Sequence, residues 1–220
     1  ARFNLARVPV AWVSSREVHC VAPGHPAGLV SVGVTQNDQQ YTSGSLAFEY
    51  RDMVAHSIHP RSGPVLGGTE VVVRGASFDA PGALGLFCSF GGSDVVGASF
   101  EGEAGVRCVT PPSAQPGAAA VQLVDSDAVL VTSVAFVYQP HVYVSSIEPV
   151  TGVLAGGTLL RVSGSGFLDS PGVLVRIGGL APVQARVLSG GMLECSTPAQ
   201  PIAGLVSVEV TLNARDYSSD

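Results

Sequence analysis

Five histidines (His19, His25, His56, His59 and His141) and four cysteines (Cys20, Cys88, Cys108 and Cys195) are the side chains best suited to catalysis or metal ligation in this chain of 220 residues. A zinc site needs such ligands spaced so that they converge. Only His19 and Cys20 stand side by side, and adjacent residues on a strand point to opposite faces. The histidines therefore read as solvent-facing strand and turn residues. Asp125-Ser126-Asp127 brings two carboxylates together, but calcium takes six or more oxygens, so this is read as a polar turn. Residues 63–69 are rich enough in glycine to suggest a phosphate-cradling loop; they lead into a β-branched run and not into a helix N-terminus, so they too read as a turn. Asp79 and Asp169 stand at matched places just after Phe78 and Phe167, which suits loop capping. No nucleophile, base and orienting group emerge, so the sequence implies no enzyme, no metal and no cofactor.

The elements that carry these residues recur. His19-Cys20-Val21-Ala22-Pro23, Arg107-Cys108-Val109-Thr110-Pro111 and Glu194-Cys195-Ser196-Thr197-Pro198 are three versions of one phrase, with cysteines 88 and 87 residues apart. A fixed period of this size signals an array and not one large domain. His59-Pro60-Arg61-Ser62-Gly63 and Gly67-Gly68-Thr69 return 89 positions later as Glu148-Pro149-Val150-Thr151-Gly152 and Gly156-Gly157-Thr158. Val73-Arg74-Gly75-Ala76-Ser77-Phe78 returns as Val162-Ser163-Gly164-Ser165-Gly166-Phe167. The alternating run from Leu29 to Thr35 is repeated from Leu205 to Thr211, with Tyr41 answered by Tyr217. Short alternating runs bounded by Pro-Gly and Asn-Asp turns predict strands throughout. Nowhere do apolar residues hold a period of 3.6 for three turns, so helix content should be near zero.

The order Ile58-His59-Pro60, Gly67-Gly68-Thr69, residues 75–78, residues 88–91, residues 108–112, residues 117–124 and Phe136-Val137-Tyr138 resembles the IPT/TIG module, and the resemblance covers nearly the whole chain. It implies an all-β fold of tandem immunoglobulin-like antiparallel β-sandwiches in a rod-like array. Three modules are expected: a partial repeat at 1–52 that opens at the equivalent of Cys88, a complete one at 53–139, and one at 140–220 that lacks its last strand. The strand ending Phe48-Glu49-Tyr50 in the first repeat and Phe136-Val137-Tyr138 in the second has no counterpart after Tyr217, so the sequence reads as a piece of a longer array. The junctions at 51–54 and 139–141 are short, and Pro140 stiffens the second, which suits a spacer better than a hinged enzyme.

The resemblance also places Cys88 and Cys108 at positions that carry a disulfide in similar modules. Ala1 and Val175 take the first of these positions in the other repeats, which marks it as core-facing and leaves Cys20 and Cys195 as free buried thiols. A Cys88–Cys108 bridge favours an oxidising, extracellular setting; a reduced pair of core thiols is the alternative.

Composition narrows the partners. The chain is 46% hydrophobic and 13% charged, with a net charge of −6 and basic residues that are all arginine. A nucleic-acid surface needs clustered positive charge, so nucleic acid is not an expected partner. No apolar run is long enough to span a bilayer, so a membrane enters only through segments outside this chain. The expected role is a non-catalytic structural or adhesive segment of a larger extracellular or cell-surface protein. Its partners would be other proteins or glycans, or further copies of itself in a filament or surface assembly. Two alternatives come with the resemblance: a DNA-binding or dimerising domain of an intracellular transcription factor, and an accessory module of a secreted carbohydrate-active enzyme.

Overall fold

The computed structural model describes residues 1–43, 46–78, 85–92, 94–102, 105–125 and 128–219. It is all-β, with no helix among the described residues. The chain divides into two compact units, Ala1–Met53 and Val54–Asp220.

The first unit contains β1 (Arg2–Phe3), β2 (Ala6–Arg7), β3 (Ala11–Ser14), β4 (Glu17–His19), β5 (Gly28–Gly33) and β6 (Leu46–Tyr50). Four of these form one antiparallel sheet in the order β2-β1-β5-β6, and β3 pairs with β4 as a separate hairpin. β3 starts only at Ala11, beyond Pro9, which has no amide to donate to a ladder. Phe3 and Val30 are the buried apolar residues of this unit. Phe48 packs edge-on to Phe3, with ring centroids 5.5 Å apart, and edge-on to Tyr50 at 5.0 Å.

The second unit holds two sandwiches. Its first is built from β7 (Val54–His59), β8 (Ser62–Pro64), β9 (Glu70–Ala76), β10 (Phe87–Phe90), β11 (Asp94–Gly97), β12 (Ser99–Phe100), β13 (Gly105–Val109), β14 (Gly117–Asp125) and β15 (Ala128–Gln139). The sheets run β12-β13-β9-β7 and β11-β10-β14-β15-β8. The next sandwich has β16 (Tyr143–Glu148), β17 (Leu159–Ser165), β18 (Leu174–Ile177), β19 (Val183–Gln184), β20 (Arg186–Ser189), β21 (Met192–Ser196) and β22 (Val208–Thr211), in sheets β16-β17-β21-β20 and β19-β18-β22.

Register confirms that the two are versions of one design. Cys108 lies opposite Val71, and Cys195 lies opposite Leu160 at the equivalent place. Cys88 faces Leu123 as Val175 faces Val210. Even an irregularity repeats: the ladder slips between Ala55 and Ser57 in one sandwich and between Val144 and Ser146 in the other. Both slips sit beside a glycine, Gly75 or Gly164. A Cβ on either would lie 1.9 Å from the carbonyl oxygen of Val54 or Tyr143, so only glycine fits there. That space also seats the aromatic ring three residues on, since Phe78 and Phe167 are 0% and 2% exposed.

The two repeated phrases exist because they bind each other. The Thr69 amide donates to the Thr110 hydroxyl at 3.1 Å, and the Thr110 amide donates to the Thr69 carbonyl at 2.9 Å. Thr158 and Thr197 make the same pair of bonds at 3.1 and 2.9 Å. Gly67 and Gly156, at φ 73° and 76°, turn the chain against the residues that follow these threonines, and a Cβ on either would lie 2.6 Å from that backbone. The Gly-Gly-Thr and Cys-x-Thr-Pro phrases are thus two halves of one clasp between strand ends.

Candidate functional site

The cysteines come first, because they carried the compartment argument. The structure joins Cys88 on β10 to Cys108 on β13, with Cα atoms 6.4 Å apart, so the bridge ties one sheet of the sandwich to the other. In the following repeat Val175 and Cys195 occupy the equivalent places, both buried. The Cys195 thiol is pushed up from 9.0 to about 11 by burial, which keeps it protonated and poorly nucleophilic.

Cys20 corrects an expectation, because it is exposed and not buried. Cys108 owes its burial to β13 lying between β12 and β9, with its inner face on the opposite sheet. Cys20 follows β4, whose one partner among the described residues is β3. Ala22 also replaces the clasping threonine there, so the first version of the phrase has the cysteine without the bonds that would hold it inward.

All five histidines are exposed. His19 Nε2 lies 2.7 Å from Glu17 Oε1, and His25 stacks on Tyr50 with centroids 5.0 Å apart. His56, His59 and His141 are dispersed over the second unit, and no group of three or more His, Cys, Asp or Glu able to hold a metal occurs among the described residues. Asp79, Ser126 and Asp127 lie outside the described residues.

Six of the eleven arginines meet local carboxylates among the described residues. Arg7 meets Asp38 at 2.6 Å, Arg107 meets Glu70 at 2.5 Å and Glu101 at 2.9 Å, and Arg51 meets Glu49 at 2.7 Å. Arg176 pairs with Glu209 and also lies over the Tyr217 ring, 3.9 Å from its centroid. Arg186 lies 3.5 Å from Glu194 and Arg215 3.5 Å from Glu70. These pairs neutralise positive charge where it arises, and none of them builds a basic track.

Within the second unit, the two sandwiches meet at a polar bracket that sequence reasoning missed. Asn213 accepts from the amides of Arg215 and Asp216 at 3.0 and 2.9 Å, which shapes the loop after β22. Its amide then donates to the Ser62 carbonyl of the preceding sandwich at 2.8 Å, while Asp216 accepts from the Thr69 hydroxyl at 2.8 Å. A cleft of about 620 Å³ runs along this joint. Thr69 is shared between the clasp and the bracket, and its recurrence in both repeats was the one sequence signal available.

A family model described as the IPT/TIG domain matches residues 2–50, 53–138 and 142–220. Human plexin-B3 is 30% identical over 218 residues, a stretch that covers 86% of this chain and 11% of that protein. Mouse fibrocystin-L is 26% identical over 209 residues, covering 92% of this chain and 5% of the relative. The chain therefore spans a small fraction of the length of these proteins. Among solved structures, the full extracellular region of plexin A4 aligns over 97% of this chain and 20% of that one, at 18% identity and a TM-score of 0.49.

Proposed function

Because the chain belongs to the IPT/TIG domain family, we propose that it is a non-catalytic structural or adhesive segment of a larger extracellular or cell-surface protein. Its modules are 1–52, 53–139 and 140–220, and they space or assemble partners that are proteins, glycans or further copies. The observation that carries this reading is where the repeated polar residues are spent. The recurring threonines and glycines close strand ends on one another, and Asn213 and Asp216 bracket neighbouring sandwiches. Motifs that recur in order to build the fold leave recognition to variable edges and loops. The inter-sheet bridge supports an oxidising compartment.

The competing intracellular reading requires a duplex-binding surface. A net charge of −6, with Arg107 and Arg176 among six arginines held against carboxylates, predicts duplex binding weaker than roughly 1 μM even at low salt, where the electrostatic contribution is largest. Titrating a fluorescent duplex at low and at physiological salt tests this. Sub-micromolar affinity with a steep salt dependence would replace the adhesive reading with the transcription-factor one.

A further inference from the structure

Two loops of this chain are built alike. After β22, Asn213 Oδ1 accepts from the Thr211 hydroxyl at 3.1 Å and from the amides of Arg215 and Asp216 at 3.0 and 2.9 Å. After β5, Asn37 Oδ1 accepts from the Thr35 hydroxyl at 3.2 Å and from the amides of Gln39 and Gln40 at 3.1 and 3.0 Å. Asp38 and Ala214 take the same left-handed turn, at φ 59° and 61°. Both loops close on their strand in one way, with the Thr42 amide donating to the Val34 carbonyl at 2.9 Å and the Ser218 amide to the Val210 carbonyl at 2.8 Å. In both, an arginine of the adjoining strand lies over the loop tyrosine, Arg2 4.1 Å from the Tyr41 centroid and Arg176 3.9 Å from that of Tyr217.

The sandwich closes without such a loop. In the second repeat β14 ends at Asp125 and β15 begins at Ala128, and Ser89 stands in register where Arg2 and Arg176 stand. The loop is therefore an addition to the fold, and the third repeat displays its use. Asn213 Nδ2 donates to Asp216 Oδ2 at 2.7 Å and to the Ser62 carbonyl at 2.8 Å, while Asp216 Oδ2 accepts from the Thr69 hydroxyl at 2.8 Å. In the first repeat Asn37 Nδ2 donates to Gln40 Oε1, so the two side chains stand in the same mutual arrangement, and both are exposed. A glutamine oxygen accepts from a hydroxyl as a carboxylate does.

We propose that the loop at residues 35–42 is a second bracket, whose partner is the end of an IPT/TIG module that presents a strand carbonyl beside a Gly-Gly-Thr hydroxyl. Asn37 donates to the carbonyl and Gln40 accepts from the hydroxyl, as Asn213 and Asp216 do with Ser62 and Thr69. Gln39 and Gln40 replace Arg215 and Asp216, so this joint is made of neutral groups and lacks the charge assistance of the other. The proposal rests on the assembly reading and names a partner for it. Duplex binding would overturn that reading, whereas the experiment below reads the loop alone.

The test moves the loop to a place where its partner is already seated. Ala214→Asp, Arg215→Gln and Asp216→Gln together give the third repeat the loop residues of the first and keep Asn213. Spin labels on Ala114→Cys and Ala181→Cys, both exposed positions, report the spacing of the second and third repeats in a Cys20→Ser chain, which lacks the exposed thiol. Asn213→Ala with Asp216→Ala should raise the population outside the native distance peak on the order of 10-fold, because two hydrogen bonds across the joint are lost, one of them to a carboxylate. The grafted chain should stay within about threefold of the native one, since it gives up only charge assistance and the exposed Arg215 to Glu70 pair. Asp216→Gln alone, the least disturbing form of the exchange, should behave as the graft does. Thr69→Val removes the hydroxyl and leaves the clasp, which uses the Thr69 main chain, so it should widen the distances of native and grafted chains alike. The proposal fails if the graft and Asp216→Gln open the joint as far as the double alanine chain, or if Thr69→Val leaves the grafted joint unchanged. It also fails if the double alanine chain keeps the native distances, because a loop that does not hold this joint is no bracket.

Discussion

Replacing Phe78 with alanine should lower the free energy of unfolding by about 3–5 kcal/mol, and Phe167→Ala should do the same in the next sandwich. Both rings are buried against a strand glycine, with Phe78 Cζ 2.4 Å and Phe167 Cζ 2.9 Å from where a Cβ on Gly75 or Gly164 would stand. Each ring thus fills a space that the glycine creates at a slipped point of the ladder. Denaturant titration of the full chain measures the loss, and Phe78→Leu, which refills part of the volume, should recover a good share of it. A loss below about 1 kcal/mol for Phe78→Ala would mean that this Gly-x-x-Phe unit is not the centre of the sandwich.

Removing the bridge with Cys88→Ala and Cys108→Ala together should cost about 3 kcal/mol, the entropy released to an unfolded chain by opening a loop with a sequence separation of 20. Reductant should act on the same sandwich and leave the next one unchanged, because Val175 and Cys195 already fill the equivalent core places without a bond. Hydrogen exchange resolves the two, since amides of β10 and β13 report on one sandwich and those of β18 and β21 on the other. Equal loosening of both would show that the sandwiches unfold as one cooperative block.

Periodicity made the fold legible. Cysteines at a spacing of 88 and 87 residues mark the period, while Gly-Gly-Thr with Cys-x-Thr-Pro, and Gly-x-x-Phe, sit at backbone features that the second and third repeats share. The clasp between Thr69 and Thr110 is visible in the sequence only as two phrases; that they meet is a fact of tertiary structure, at a sequence separation of 41. Cys20 was misread because burial belongs to the neighbouring strand and not to the phrase. The same limit hid the joint, where Asn213 and Asp216 act on Ser62 and Thr69 across 151 and 147 residues.

The extracellular assignment is tested most directly by the state of the four thiols in the protein as it stands in its source. Native material should be alkylated before any reduction, then unfolded and alkylated again, then reduced and alkylated with a third label, with the sites read by mass spectrometry. Cys195 should take the second label, because burial in the third repeat holds its thiol protonated. Cys88 and Cys108 should take only the third, as a bridge formed in an oxidising compartment. If Cys88 and Cys108 instead take the first or second label, the pair is reduced where the protein works and the extracellular account is contradicted.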